Sequence, residues 1–502
     1  MQMTDTGLPR PIYHSTMGAR FLPGFLLRFV LGALLIALPR AFGQPLPDLG
    51  DVSQATISPI QEKRMGEGIM REIRADRTYY DETEATDYIN QFGQRLAEHS
   101  VETRQDFEFF LIQDPQINAF ALPGGFIGVN TGLLLAAQSE SEVAGVVAHE
   151  ISHVTQRHIA RMLAQQKQVL ATTLASIAAA ILLSRVSSDA AQAAFAFGQA
   201  GAVQSQLNFT RDNEREADRV GLQLLEQSGF DPRGMATFFE RLQRATRVYE
   251  TAAPSYLRTH PLTYERIADI QSRLKDLPYR QVPDSIEFQL IRAKVRADLD
   301  SPREAVEFFE TSLAERKFLS EAASRYGLAV SALRANDLGR ARKELAALVR
   351  LVPQNPMVAT LSCRIARASS TTDEAGACYR DAIKTYPRYR TLVYDYAEAL
   401  LQARQPNAAL QVVDDWQQRS AGRDARLYEL QARAYAALNR PLAQYRAQAE
   451  AYALRGNYTA AVEQLQIGLK SGDGDFYQLS VAETRLRELR RLDEEARKEA
   501  KR

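Results

Sequence analysis

Hydrophobic and polar positions follow three regimes along the chain. From residue 44 to about 275, β-like runs mix with helical ones. Phe107-Glu-Phe-Phe-Leu-Ile-Gln113 and Phe126-Ile-Gly-Val129 alternate as strands do, and Pro123-Gly124-Gly125 between them supplies turn residues, which predicts a hairpin. The edge of such a hairpin is a place for an extended peptide to add as a further strand, the alternative being a hairpin packed for structure alone. Val143, Val146, Val147, Ile151 and Val154 recur at helical spacing behind Ser139-Glu-Ser-Glu142, a capping-box pattern. A second amphipathic helix is predicted from Asn213-Glu-Arg-Glu-Ala-Asp218 onward to Leu225. The stretch Asp276–Asp284, with two prolines, reads as a linker, and from Ser285 to the end the pattern is helical throughout.

The helical regime repeats itself. Helix-breaking clusters precede Ala305, Ala341, Ala375, Ala409 and Ala443, a beat of 34 residues after a first interval of 36, and Pro353 and Pro387 keep the same spacing. Paired helices with small residues where they cross and proline at the unit end resemble the tetratricopeptide repeat. A further signal, Gly456-Asn-Tyr-Thr-Ala-Ala461, arrives early, so the register breaks near the C-terminus, as a capping unit requires. Stacked pairs of this kind present a groove that binds peptide segments or partner proteins and does no chemistry. Cys363 and Cys378 fall in the two helices of one repeat, either as a disulfide across it or as two small buried thiols.

Two apolar stretches stand apart. Arg20 and Arg28 precede the ten-residue run Phe29–Leu38, and Ala41-Phe42-Gly43 comes next, which describes a secretory signal peptide over residues 1–43 cleaved near Gly43, with Met17 as an alternative start to Met1. The second, residues 169–202, opens with a 15-residue run that is too short to span a bilayer. Lid or plug over the active site, peripheral contact with a membrane surface or nascent barrel strands, and plain core are its three readings. Composition narrows the rest. With 45% hydrophobic and 25% charged residues the chain is neither a polytopic membrane protein nor disordered, and a net charge of +1 gives no basic field for nucleic acid. Two cysteines are too few for a thiolate zinc site.

Candidate chemistry concentrates in one place. His149-Glu-Ile-Ser-His153 lies on the predicted helix, so both imidazoles share a face one turn apart and Glu150 stands beside them. Only six histidines occur, and of the four after His99 all but His260 lie between 149 and 158. Hydrolytic zinc takes three protein ligands and keeps one position open. On spacing alone Glu214, Glu216 and His158 all qualify as the third, and Glu214 and Asp218 share a helix face as an i,i+4 pair. A solvated acidic face is the plain alternative for these carboxylates.

The HExxH run, Glu214-x-x-x-Asp218 and the preceding Asn118-Ala-Phe-Ala-Leu-Pro-Gly-Gly-Phe-Ile-Gly-Val-Asn130 resemble the HtpX-like and CAAX-prenyl-protease-like zinc metallopeptidases, gluzincins with HExxH plus ExxxD. The resemblance implies an α+β zincin-like metallopeptidase domain, mostly helical with a small sheet, followed by an all-α tetratricopeptide-repeat superhelix. It implies one Zn2+ per chain on His149, His153 and Glu214, with Asp218 orienting a ligand histidine and Glu150 as general base. In similar peptidases a His-Pro histidine approaches the zinc. His260, in Arg258-Thr-His-Pro-Leu262, is then expected to complete the coordination and silence the enzyme, or to move out and assist; a loop histidine without metal contact is the alternative. Arg266 is expected to stabilise the tetrahedral oxyanion.

The layout of leader (1–43), peptidase domain (44–275), linker (276–284) and repeats (285–502) resembles exported members of this group that act in outer-membrane protein quality control. By that resemblance the chain is expected to be a periplasmic endopeptidase that degrades unfolded or misassembled outer-membrane β-barrel proteins and assists their assembly, docked to the barrel assembly machinery through its repeats. The rival is a chaperone or scaffold in which the repeats do the work and the zinc site is normally autoinhibited. A cytosolic prenyl-peptide processor conflicts with the leader and the missing spans.

Overall fold

Helix α1 (Pro59–Ala75) begins where its sequence says it should: Ser58 and Gln61 cap each other's backbone groups and Pro59 occupies the first turn. The computed structural model describes residues 57–100, 105–164, 211–248, 254–369, 371–420 and 424–500. The leader 1–43 and the apolar segment 169–202 lie outside the described residues. Among the described residues no helix is long and apolar enough to cross a membrane.

After α2 (Thr83–Ala97) come strands β1 (Glu108–Ile112), β2 (Ala119–Leu122) and β3 (Phe126–Asn130) in the order β1-β3-β2. β1 runs parallel to β3, and β2 pairs antiparallel with β3. The expected hairpin between 107–113 and 126–129 is therefore corrected: β3 turns back from β2, through Gly124 and Gly125, both at positive φ, where a side chain is strained. The sheet alternates as half-buried strands must. Phe109, Leu111, Ile127 and Val129 enter the main core, while Phe110, Ile112, Phe120 and Phe126 meet Ile69, Met70 and Ile73 of α1 on the opposite face.

Short α3 (Thr131–Ala136) leads into α4 (Glu140–Thr155), which packs on β2 and β3 and is buried along almost its whole length. Ser139 caps it by accepting from the Glu142 N–H at 3.3 Å. The reciprocal half of the expected box is absent, because Glu142 accepts instead from the Gln138 N–H and from Arg241, each at 2.6 Å. Helices α5 (His158–Ala164), α6 (Arg211–Gln227), α7 (Arg233–Val248), α8 (Ser255–Thr259) and α9 (Tyr264–Leu274) complete this part.

From α10 (Ile286–Leu299) onward the chain is helix hairpins: α10 with α11 (Pro302–Ala314), α12 (Glu321–Arg334) with α13 (Leu338–Leu351), α14 (Pro356–Ser369) with α15 (Thr372–Thr385), α16 (Arg390–Gln402) with α17 (Pro406–Arg419), and α18 (Ala425–Ala437) with α19 (Pro441–Leu454). The alanines of the 34-residue beat, Ala305, Ala341, Ala375 and Ala409, are all buried on second helices; in the fifth pair Leu442 takes the buried place beside Ala443. After only Arg455–Asn457 the chain starts α20 (Tyr458–Leu469), then the long α21 (Phe476–Ala500). This is a tetratricopeptide-repeat stack, and Cys363 and Cys378 join α14 to α15 as a disulfide.

The repeats close on the rest of the chain. Residues Val52–Arg502 form one compact unit, and a single apolar core runs from Tyr80 through Phe288 to Ile365. First helices of the first, fourth and fifth pairs, with Tyr389 just ahead of α16, grip the start of α2: Lys294 binds Glu82 and Glu84, the Tyr389 hydroxyl donates to Glu84 at 2.9 Å, Arg390 pairs with Asp87, and Arg426 donates to the Thr83 hydroxyl at 3.0 Å. Part of the surface expected to hold peptide segments is thus occupied by the chain's own α2. Beside it, Glu140 at the start of α4 accepts from Ser285, through its N–H at 2.9 Å and its hydroxyl at 2.8 Å.

Candidate metal centre

α4 carries His149 and His153 on one face, and α6 brings two carboxylates to it. The approach depends on Gly221, where a Cβ would stand 3.3 Å from the His149 backbone nitrogen and 3.0 Å from Met235 Cε. Because α6 lies this close, Glu214 and Asp218, one turn apart on it, reach the two imidazoles. One donor atom each from His149, His153, Glu214 and His260 lies within 4.8 Å of the others, and all four residues are buried.

The contacts fix which atom faces inward. His149 and His153 turn their Nε2 atoms toward each other at 3.0 Å, and each lies 3.4 Å from a Glu214 oxygen. The other nitrogen of His149, Nδ1, is 3.0 Å from Asp218 Oδ1, the carboxylate–histidine arrangement that fixes an imidazole's tautomer. Neither Glu216 nor His158, the other third-ligand candidates, joins the cluster; they pair with each other outside it, at 3.1 Å.

His260 is drawn in. It ends α8, its N–H bonded to the Tyr256 carbonyl at 2.8 Å. Its Nδ1 lies 3.1 Å from Glu214 Oε1 and 3.3 Å from His149 Nε2, and its Nε2 lies 3.4 Å from Glu150 Oε1. Tyr256, which sequence reasoning missed, stacks on the His260 ring at 4.8 Å; it is buried and its hydroxyl has no hydrogen-bond partner. An aromatic one turn ahead of a His-Pro pair was the only available signal.

Arg266 is buried, and its donors are taken. Nε and one terminal nitrogen each lie 2.8 Å from the two Asp218 oxygens, and the other terminal nitrogen is 2.8 Å from the Pro261 carbonyl and 2.7 Å from Glu214 Oε2. One guanidinium thus holds the carboxylate behind His149, the cluster's own carboxylate and the loop bearing His260.

Glu150 is buried, with His260 Nε2 beside one oxygen and the Ala121 backbone of β2 bonded to its carboxylate. Burial raises its carboxyl above the ordinary value, against the pull of His260 and His149. Burial also raises the Asp218 carboxyl, but Arg266 overrides it and the net direction is down. Burial alone would discharge the His149 imidazole, yet Asp218 and Glu214 push it to about 9. A buried cluster of inward-facing imidazole nitrogens and a carboxylate, in a field favouring positive charge, fits a divalent cation; the imidazole and carboxylate donor set suits zinc among others. Next to Glu150 runs β2, the outer strand of the sheet. Asn118 and Asn130 form a hydrogen-bonded pair across β2 and β3, so alternation turns the Ala119 and Ala121 amides away from β3, that of Ala121 toward Glu150.

Residues 83–274, which include every residue of this cluster, match peptidase family M48. The beta-barrel assembly-enhancing protease of Escherichia coli (strain K12) is 34% identical over 452 residues, covering 89% of this chain and 92% of that protein. The chain belongs to peptidase family M48. Its likeness to the mitochondrial metalloendopeptidase OMA1 of Schizosaccharomyces pombe is shorter, 32% identity over 218 residues, 43% of this chain and 61% of that protein. Among solved structures, a tetratricopeptide repeat protein from Parabacteroides merdae covers 58% of this chain and 99% of its own at 13% identity, with a TM-score of 0.29. As an M48 member the chain is a metallopeptidase, and the buried His149, His153, Glu214 and His260 cluster fits a metal site.

Proposed function

We propose that this M48 peptidase is a periplasmic zinc endopeptidase of outer-membrane protein quality control, with a leader at 1–43, a peptidase unit at 44–275 and a repeat unit at 285–502 joined by 276–284. The observation that carries the reading is a buried Glu150 carboxylate set between the His149–His153–Glu214 cluster and the backbone of β2 at Ala121. One zinc held by those three residues supplies a Lewis acid for the scissile carbonyl and a water acidic enough to attack near neutral pH. Ala119 and Ala121 line an extended substrate along β2 through backbone hydrogen bonds, which select for unfolded chain rather than for sequence. Glu150 takes the attacking water's proton and returns it to the leaving amine. Arg266 positions Asp218 and Glu214 rather than the oxyanion, since its donors already point at them. The clients are unfolded or misassembled outer-membrane β-barrel proteins, and the repeats bring the enzyme to the barrel assembly machinery. This rests on full-length likeness to a relative named for that role.

A second reading is favoured by His260, whose ring nitrogens lie against both Glu214 and Glu150. There it fills the position a substrate carbonyl needs, and the resting protein is an autoinhibited scaffold. The test is metal analysis of the purified protein together with cleavage of an unfolded β-barrel client by wild type, Glu150→Gln and His260→Ala. One zinc per chain and cleavage abolished in Glu150→Gln establish the peptidase; faster cleavage by His260→Ala adds autoinhibition. Zinc without cleavage by either wild type or His260→Ala leaves the scaffold.

A further inference from the structure

Glu216 and His158 are bound to each other, and the pair is bound to the metal cluster. α4 ends at Thr155, and Arg157, in the left-handed region at φ 53°, reverses the chain into α5. That conformation is unfavourable for an arginine. Here its side chain is anchored on the Ile57 carbonyl at 2.9 Å and on Glu62. The turn lays the fully buried His158 ring against His153, centroids 4.8 Å apart, with the two Nδ1 atoms at 2.8 Å. On its other side His158 Nε2 meets Glu216 Oε2 at 3.1 Å, and Arg161 binds the same oxygen at 2.7 Å.

We propose that His158 and Glu216 are positioning residues for the metal site, a carboxylate–imidazole relay that fixes the tautomer and ring orientation of His153. The inference rests on the metal reading of the cluster. His153 gives Nε2 to the cluster, so as a neutral ligand it carries its proton on Nδ1. That N–H donates to His158 Nδ1, which must then be the bare nitrogen. His158 therefore holds its proton on Nε2 and donates it to Glu216, the only acceptor-only group in the series. Every hydrogen bond has a donor in this one arrangement and in no other with a metal on His153. The two metal-binding imidazoles are thereby each backed by a carboxylate of α6: His149 directly by Asp218, His153 by Glu216 through His158. Outer partners of this type are worth ten- to a hundredfold in metal affinity.

The experiment is a competition titration of the whole purified protein with Zn2+ against a chromophoric chelator, with Co2+ substitution for the visible spectrum. His158→Leu is expected to bind Zn2+ ten- to a hundredfold more weakly and to change the intensity of the Co2+ bands. His158→Gln, whose side-chain oxygen still accepts from His153, recovers most of the affinity. Glu216→Gln sits at the partly exposed end of the relay, tests it without emptying the core, and is expected to lose a smaller factor in the same direction. Zn2+ affinity within twofold of wild type in both His158→Leu and Glu216→Gln, with an unchanged Co2+ spectrum, overturns the relay and leaves the metal site standing. If His158→Leu does not fold, Glu216→Gln decides alone. A wild type that takes up no stoichiometric metal overturns the metal reading itself.

Discussion

Replacing Lys294 by Met tests whether the buried ionic contact between the first repeat and α2 holds the two parts together. The Lys294 ammonium is 2% exposed and serves Glu82 at 2.8 Å and Glu84, itself 2% exposed. Burial by itself raises the Glu84 carboxyl; Lys294 and its neighbours more than reverse that, and the net direction is down. Burial likewise lowers the lysine, and the two glutamates drive it up. Breaking a buried pair by removing one partner costs about 3–5 kcal/mol, because the remaining charge keeps its desolvation penalty. Glu84 retains the Tyr389 hydroxyl, which places the expectation at the lower end, about 3 kcal/mol. Lys294→Met combined with Glu84→Gln removes both charges, keeps an acceptor for Tyr389, and is expected to recover at least half of the loss. The assay is urea unfolding at fixed metal content, followed by far-UV circular dichroism and by Trp416, the single tryptophan. The pH dependence has a definite sign. Glu84 is lowered from 4.5, so its contribution is complete above that value and fades as pH falls below it. Lys294 is raised from 10.5, so its contribution is complete below that value and fades only at higher pH. The penalty of Lys294→Met is therefore flat on the alkaline side up to about pH 9.5 and shrinks in acid, beginning above the ordinary carboxylate range because burial raises Glu82 and, once Lys294 is gone, Glu84 as well. A single variant within about 0.5 kcal/mol of wild type, or a double variant as unstable as the single, refutes the argument.

The geometry sets three further outcomes. Arg266→Lys loses the fork that spans both Asp218 oxygens and the Pro261 carbonyl, and is expected to weaken Zn2+ binding by roughly tenfold in chelator competition, with activity falling alongside. Ala121→Pro removes an amide that points away from β3 beside Glu150, on an edge strand where proline is tolerated; kcat/KM for an unfolded polypeptide is expected to drop on the order of tenfold with metal content unchanged. Replacing Cys363 and Cys378 together by Ser opens a loop closed over a separation of 15 residues, and is expected to cost about 3 kcal/mol in the repeat transition reported by Trp416.

The histidine pair and the carboxylate pair were legible because helical geometry carries that much, whereas the choice of Glu214 over Glu216 and His158 came from the family resemblance. His149 and His153 are one turn apart on α4, Glu214 and Asp218 one turn apart on α6, and no longer-range knowledge is needed to see that each pair shares a face. The repeats were legible for a similar reason, since a regular stack writes its period into the sequence. What stayed hidden depends on contacts between distant segments. β2 is four residues of Ala-Phe-Ala-Leu, too short and too small in side chain to announce itself beside two stronger strands, so the glycine turn seems to join the wrong pair. His158 and Glu216 each looked like a spare ligand, and only the left-handed turn at Arg157 shows that they face one another. Arg266 looked free to serve an oxyanion because the approach of α9 to Asp218 has no local signature.

The seam between peptidase and repeats has the same origin, and it bears on how the site is held. Thr83, Glu84 and Asp87 carry no local sign of the Lys294, Arg390 and Arg426 side chains that meet them. The first turn of α4 is tied into this seam: Glu140 accepts from the Ser285 cap of α10 and from the Tyr88 hydroxyl of α2. His149 and His153 lie farther along that same rigid helix, and Arg266 ties the His260 loop to the carboxylates opposite. A partner that engages the repeats therefore meets two conditions. It docks on faces other than those already filled by α2, and any shift it imposes on α10 strains the bonds at Glu140 before it reaches the metal ligands.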